Sequence, residues 1–257
     1  MHAAVPSAAA SSIVRDLQQR IGRMERRTCV RGEGVVSSGF AALDGVLPCG
    51  GLRRGTLAEW LADGPGCGAG LLALAAAREA CRAGGALVVV DRLRRFRPWP
   101  AFALGMSAEE MVVVRPADRK DEEWAIDQAL RCSAVGGVIA WPERLDGRTF
   151  RRLQLAAEAG GSLGCFVRPW GARGDPSWAE VRLAVAPRAG RRGWRLRIEA
   201  LRTGGVGQGS AVEVELDERR VDETHPLPLA EELADPAASA GAGGFRGAAG
   251  LHRAGAG

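Results

Sequence analysis

Thr56-Leu-Ala-Glu-Trp-Leu61 followed by Asp63-Gly-Pro-Gly-Cys-Gly-Ala-Gly70 decides the fold. The first segment has the apolar content of a short strand, and the second is a glycine-rich turn. A Leu-, Ala- and Arg-rich stretch then carries helical spacing to about residue 82. After Gly84-Gly85 comes Ala86-Leu-Val-Val-Val-Asp91, a continuous apolar run of the kind that forms a strand buried on both faces. A strand, a glycine turn, a helix and a second buried strand make a βαβ unit.

The alternation continues outward from that unit. Residues 111–115 repeat the buried-strand pattern. Asp121-Glu122-Glu123 supplies an acidic first turn for a helix running to residue 134, which suits the helix dipole. Residues 137–141 form the next buried strand, 148–158 a helix and 163–167 another strand. The period then changes. Trp194, Leu196, Ile198 and Ala200 alternate with Arg195, Arg197, Glu199 and Leu201, and Val212, Val214 and Leu216 alternate with acids. With residues 179–186 these are expected to be antiparallel strands, wet on one face, added at the sheet edge. The fold class expected is α/β, with a mainly parallel sheet extended by C-terminal antiparallel strands. Ahead of it, Ile13, Leu17, Ile21 and Met24 form an amphipathic helical stripe capped by Ser11 or Ser12. Residues 1–33 are therefore expected to be a helix and linker, 34–221 the core, and 222–257 a disordered Pro-, Ala- and Gly-rich tail too poor in large apolar side chains to offset ordering entropy.

Composition bounds the function. The chain has 257 residues, 46% hydrophobic and 25% charged, normal for a globular protein with a sizeable core. Lys120 is the only lysine and tyrosine is absent. A net charge of +5 is compatible with nucleic-acid or acidic-protein partners without demanding either. The six cysteines show no C-x-x-C pair, and with only three histidines a zinc site is not expected. Buried free thiols in a reducing cytosol is the economical expectation. The longest apolar run, residues 71–77, is far short of the roughly 20 residues a membrane span needs. No basic segment precedes an apolar one at the N-terminus, so a cytoplasmic protein without membrane partners is expected, with nucleoid association as an option.

The glycine turn occupies the place of a phosphate loop, which requires G-x-x-x-x-G-K-[ST]. If Gly68 is the second glycine, Ala69 stands where the lysine belongs and Gly70 where the magnesium-binding hydroxyl belongs. Gly64 and Gly66 complete the turn. A Walker-B aspartate would close the strand at 137–141, yet Trp141 stands there, with Glu143 a weak substitute two residues on. No catalytic residue, no metal and no ATP–magnesium cofactor are expected. Helix N-termini still attract anions, which leaves loose phosphate binding open.

The lead-in Ser37-Ser-Gly-Phe-Ala-Ala-Leu-Asp44 and Gly50-Gly-Leu-Arg-Arg-Gly55, the turn itself, Arg82-Ala-Gly-Gly85, Leu104-Gly105 and Ala179-Glu-Val-Arg-Leu183 resemble, in order, the core of the RecA ATPases over residues 34–217. Several features depart from that pattern. Leu93 stands where the resemblance puts a catalytic glutamate. The two connections that carry DNA-binding loops in RecA, at 142–148 and 169–177, are short. A degenerate RecA-like core behind an amphipathic helix is similar to the ImuA family. That resemblance implies a non-catalytic accessory factor of SOS-induced, error-prone translesion synthesis. Its implied partners are an inactive Y-family-like polymerase homologue and an error-prone C-family polymerase, with DNA or RecA as further candidates. Two other functions stay open: a divergent RecA/RadA-like DNA-dependent ATPase or single-stranded-DNA-binding repair protein, and a damage-induced cell-division inhibitor.

Three surfaces are candidates for binding. Arg92, Arg94, Arg95 and Arg97, with Phe96 and Trp99 interleaved, follow a strand's carboxyl end, where ligands of open α/β sheets bind. They suit phosphate pairing and base stacking, or else form a solvated loop anchored by its aromatics. Arg182, Arg188, Arg191, Arg192, Arg195, Arg197 and Arg202, with Glu199 the lone acid among them, suit DNA or an acidic partner, or else protect an edge hairpin from aggregation. The N-terminal stripe of Ile13, Leu17, Ile21 and Met24 docks on a partner or on its own domain. Trp60, Trp141 and Trp170 are expected at the core or its rim.

Overall fold

In the computed structural model, the described residues are 34–188, 194–203 and 209–216. The N-terminal stripe, Arg191, Arg192 and the tail beyond 216 lie outside them. Among the described residues ten strands form in chain order: β1 (Val35–Val36), β2 (Leu52–Arg53), β3 (Leu57–Ala62), β4 (Ala86–Val90), β5 (Met111–Val114), β6 (Val135–Ala140), β7 (Leu163–Pro169), β8 (Val181–Arg188), β9 (Trp194–Thr203) and β10 (Ala211–Leu216). The helices are α1 (Ala41–Asp44), α2 (Ala69–Cys81), α3 (Trp99–Ala103), α4 (Arg119–Arg131) and α5 (Gly147–Gly160), with 3₁₀ turns at Ala108–Glu110 and Trp170–Gly174.

Eight strands make one sheet in the order β10-β9-β8-β3-β7-β6-β4-β5. From β5 to β8 all neighbours are parallel, and β9 and β10 continue antiparallel. This corrects one expectation. The segment read as the first antiparallel strand, β8, runs parallel to β3, its pairs including Glu59↔Arg182 and Leu61↔Ala184. Because β7 flanks the other side of β3, the chain must recross the sheet between 169 and 181, as any parallel pairing requires.

Helices cover both faces, which is why the central strands are apolar throughout. One core packs α2 against Trp60, Val89, Ile139, Cys165 and Val167; the other packs α4 and α5 against Leu57, Val90, Val138, Ala140 and Phe166. The alanine run of α2 is explained by its position. The helix is covered outside by Leu43, Leu47 and Leu52, and on the sheet side it sits almost on the backbone of β6. A Cβ on Gly137 would lie 2.7 Å from the Ala77 carbonyl oxygen, so only glycine allows that approach. Asp44 closes the covering segment by accepting from the Ser37 hydroxyl (2.6 Å) and the Ser38 N–H (2.7 Å).

The helix read from Asp121 starts earlier, at Arg119, because Asp118 caps it by accepting from the Asp121 N–H at 2.9 Å, and it ends at Arg131. Asp146 caps α5 in the same way through the Thr149 N–H (2.8 Å), which holds its carboxyl below the usual range. Among the described residues no helix is long and apolar enough to cross a membrane, and no group of three or more His, Cys, Asp or Glu is placed to hold a metal ion.

The thiols depart from the uniform buried, free set expected. Cys67 and Cys165 are buried and free, Cys81 is half-buried, Cys132 is exposed, and Cys49 is disulfide-bonded. Burial pushes the Cys81 thiol up to about 11 and that of Cys165 to about 12. At pH 8 about a thousandth of Cys81, and less of Cys165, is thiolate, the reactive form. A maleimide reagent at that pH is therefore expected to modify Cys132 while sparing Cys81 and Cys165 until the chain is unfolded. Peptide mapping checks this, and native labelling of Cys165 would contradict the packing of β7.

Candidate functional site

The glycine turn between β3 and α2 retains the backbone form of an anion cradle and lacks its side chains. Gly64, Gly66 and Gly68 have φ of +100°, +73° and +86°, while Pro65 and Cys67 between them do not enter the positive region. Alternating left- and right-handed residues turn successive N–H groups toward one concavity. Among the described residues no acceptor takes the N–H of Gly66, Cys67 or Gly68. Ala69, at the lysine position, is buried, whereas Gly70 opens on free space. A side chain at Gly68 would be strained by its φ of +86° and would have to displace the Leu196 side chain of β9, whose Cδ1 would lie 2.5 Å from the new Cβ.

A cavity of about 980 Å³ lies at the carboxyl ends of β3, β4, β6 and β7. The glycine turn, Arg94, Arg95, Arg97, Trp141 and Trp170 all contribute to its wall. That is the position where ligands of open α/β sheets bind. Asp91, fully buried, shapes the facing loop by accepting from the N–H groups of Arg95 (2.7 Å) and Phe96 (2.9 Å). Phe96 turns inward and packs against Trp141, ring centroids 6.3 Å apart. Arg94 has a φ of +54°, the one positive value outside glycine among the described residues.

The four arginines of this loop divide into two pairs. Arg92 turns away from the cavity: its Nε donates to Glu122 at 3.0 Å and its Nη2 lies 3.8 Å from Glu143, so a role in gripping phosphate is not what its geometry offers. Burial pushes the Glu122 carboxyl up, and the Arg92 bond and charge oppose that shift. Arg95 donates to Glu143 at 2.9 Å, which occupies the carboxylate considered as a Walker-B substitute. Among the described residues Arg94 and Arg97 have no acidic partner, and Arg97 donates only to the carbonyls of Arg94 (3.1 Å) and Phe96 (3.4 Å). The cavity therefore presents two uncompensated guanidiniums opposite the glycine turn.

The second arginine concentration is more neutral than its sequence suggests. Register places Glu215 opposite Arg195 and Glu213 opposite Arg197 on the wet face of β9 and β10. Arg195 bonds Glu215 and lies 3.6 Å from Glu213, so Glu199 is not the lone acid there. Arg202 donates to the Ser177 carbonyl at 2.9 Å. Arg182 does not belong to the exposed group at all. It is largely buried, with Nε 2.6 Å from Glu59 and Nη2 donating to the Ala172 carbonyl at 2.8 Å.

Arg182 belongs to a buried cluster that the sequence reading did not single out. Glu59 of β3, with no exposed side-chain surface, accepts from Arg168 Nη1 of β7 (2.7 Å) and from the Ser177 hydroxyl (2.6 Å). Arg168 Nη2 reaches on to Asp175 at 2.8 Å. These bonds pin residues 170–178 where they recross the sheet. The connection between β7 and β8 is thus tied to the strands beneath it. A glutamate within an otherwise apolar strand was the available signal, since a charge buried on both faces requires a partner. Of the tryptophans, Trp60 is buried, Trp141 half-buried and Trp170 exposed at the rim, as expected.

No family model matches the chain. Over 236 residues it is 29% identical to Protein ImuA of Caulobacter vibrioides, an alignment spanning 82% of this chain and 95% of that protein. The chain is similar to ImuA over nearly the whole of that protein. Its likeness to RecA is more local: 36% identity to the Zymomonas mobilis protein over 106 residues, or 41% of this chain and 29% of RecA, and 32% to the Deinococcus radiodurans protein over 105 residues. Among solved structures the RadB recombinase superposes with a TM-score of 0.57 at 18% identity, covering 72% of this chain and 97% of RadB. That likeness establishes a recombinase-type fold. The ImuA-family match and the RecA-like sheet together bear out the family and fold expected from the sequence.

Proposed function

We propose that this chain is a non-catalytic, RecA-like accessory protein of damage-induced mutagenesis, which helps assemble a translesion-synthesis complex of a Y-family-like protein and an error-prone C-family polymerase. The observation that carries the reading is the state of the nucleotide site in a chain aligned with nearly all of ImuA. The fold, the glycine turn and the cavity are present, but Ala69 is buried at the lysine position, Gly70 bears no hydroxyl, and Glu143 is held by Arg95. A phosphoryl-transfer site acts by charge neutralisation and positioning, and these substitutions remove the groups that do both. Affinity purification of the tagged full chain from DNA-damaged cells, with nuclease treatment and mass spectrometry, tests the role. Recovery of the polymerase homologue and the C-family polymerase is expected. Single-stranded-DNA-stimulated ATP hydrolysis by the purified chain would overturn the non-catalytic part.

Arg94 and Arg97 favour a second reading, metal-independent binding of single-stranded DNA at the same cavity. Two cations without acids face free amide groups, and Trp170 offers a ring to a base. Under this reading the double substitution Arg94→Ala/Arg97→Ala weakens binding of a fluorescent oligothymidine about tenfold at low salt. It also flattens the salt dependence by about two phosphate contacts. Anisotropy titrations at several salt concentrations check it. Equal binding by the variant would remove the cavity from consideration.

A further inference from the structure

On the opposite flank from the glycine turn, α5 presents an outward stripe of Arg148, Arg151, Arg152, Leu155 and Glu158. Beside it stands Trp178, 47% exposed, at the end of the segment that the Glu59 cluster pins. Arg151 lies over the Trp178 ring, its guanidinium carbon 5.0 Å from the centroid. The tryptophan forms a ridge between two hollows. One, of about 890 Å³, has Arg148, Leu155 and Pro176 in its wall; the other, of about 320 Å³, is bounded by Thr56, Gln154 and Glu180.

The smaller hollow contains hydrogen-bonding capacity that the protein does not use. Gln154 is 7% exposed; its amide nitrogen donates to the Gly55 carbonyl (3.2 Å) and to Glu158 (3.1 Å), and its Oε1 has no partner. Glu180 Oε2 is likewise buried and without a hydrogen bond, while its Oε1 lies 3.5 Å from Arg53. Buried acceptors are almost always satisfied, and two orphans in one hollow call for an incoming donor. The larger hollow has the opposite character. Among the described residues Arg148 makes no ion pair, although the capping Asp146 shares the hollow, and Leu155 and Trp178 supply apolar surface of the kind that anchors interfaces.

We propose that the Trp178 ridge docks a segment of a partner protein. One of its apolar side chains packs on Leu155 and Trp178, a carboxylate meets Arg148, and an N–H donor enters the hollow of Gln154 and Glu180. A phosphodiester backbone fits less well: of the arginines lining the two hollows, Arg53, Arg131, Arg151 and Arg152 already face Glu180, Asp127, Glu158 and Asp127, and the acceptors of Gln154 and Glu180 call for a donor that phosphate lacks. A protein segment carries both signs and main-chain donors. This face lies outside the nucleotide cavity, so the inference holds or fails independently of the accessory role.

The test pans a displayed library of random dodecapeptides on the immobilised full chain, with counter-selection on the Trp178→Ala variant. The expected enrichment combines an acid, a large apolar residue and a donor side chain. A synthetic peptide of that consensus should bind at least about tenfold more weakly to Trp178→Ala and to Arg148→Glu. A peptide with lysine in place of the acid should recover affinity for Arg148→Glu. Both positions are exposed, and unchanged thermal melting of each variant would show that folding is intact. The proposal is overturned if no enriched peptide depends on Trp178. It is also overturned if an oligothymidine binds the wild-type chain and loses that binding in Trp178→Ala, which would mark a nucleic-acid surface.

Discussion

Replacing Glu59 by alanine is expected to destabilise the protein by about 3–5 kcal/mol, the usual cost of leaving a buried charge without its partner. The magnitude follows from the geometry. Arg168 has no exposed side-chain surface, and Arg182 is nearly as deep, so neither guanidinium can turn to water when the carboxylate between them is removed. Urea unfolding of the full chain measures the loss. The double variant Glu59→Ala/Arg168→Ala should cost less than the sum of the two single changes, since it removes a charge together with its partner. The same substitution frees the Ser177 hydroxyl and loosens the chain that recrosses β3. Trypsin cleavage after Arg173 should therefore accelerate in Glu59→Ala under native conditions. A loss below about 1 kcal/mol, within the ordinary range for single substitutions, would mean that the cluster does not hold the connection.

Gly137→Val is the second large effect expected, destabilising by about 3 kcal/mol, at the upper end of overpacking costs. Valine suits a strand, so propensity alone predicts a gain. Packing outweighs it, because the new Cβ meets the Ala77 carbonyl oxygen at 2.7 Å and the Ala77 Cα at 3.2 Å. Those are backbone atoms of α2, and relief requires the whole helix to lift from the sheet. Since α2 begins at the glycine turn, the lift also moves the turn relative to Arg94 and Arg97. Thermal unfolding reads the stability, and oligothymidine binding reads the displacement of the turn. Gly70→Ala is the control. Its Cβ enters open space in the first turn of α2, and its stability should change by no more than about 1 kcal/mol in either direction. Similar losses in both variants would show that the close approach at β6 is not what glycine provides there.

The sequence by itself determined the sheet's central architecture. Residues 86–90 and 137–141 are apolar throughout, and a run without alternation has a stable place only in a strand covered on both faces. The absence of lysine and hydroxyl after Gly68 was equally legible, because a phosphate loop needs specific side chains at fixed offsets. The order of those short motifs pointed to the family that the alignment with ImuA supports. Residues 179–186, in contrast, offered no direction of pairing. An alternating pattern specifies which side chains are buried and says little about whether the neighbour runs parallel, and the position of β8 beside β3 followed from how the chain recrosses the sheet.

Charge was decided almost entirely by tertiary structure. Along the chain, Arg92, Arg94, Arg95 and Arg97 are four equivalent cations. In space Arg92 and Arg95 are neutralised by Glu122 and Glu143, 30 and 48 residues away, while Arg94 and Arg97 keep their charge for the cavity. Arg182 looked like one more exposed arginine, yet it is buried against Glu59, 123 positions earlier in the chain. Local pattern reports burial because apolar periodicity is a property of neighbours. An ion pair is a property of two distant residues, and its existence is fixed only when strand order and register bring them within a few ångströms.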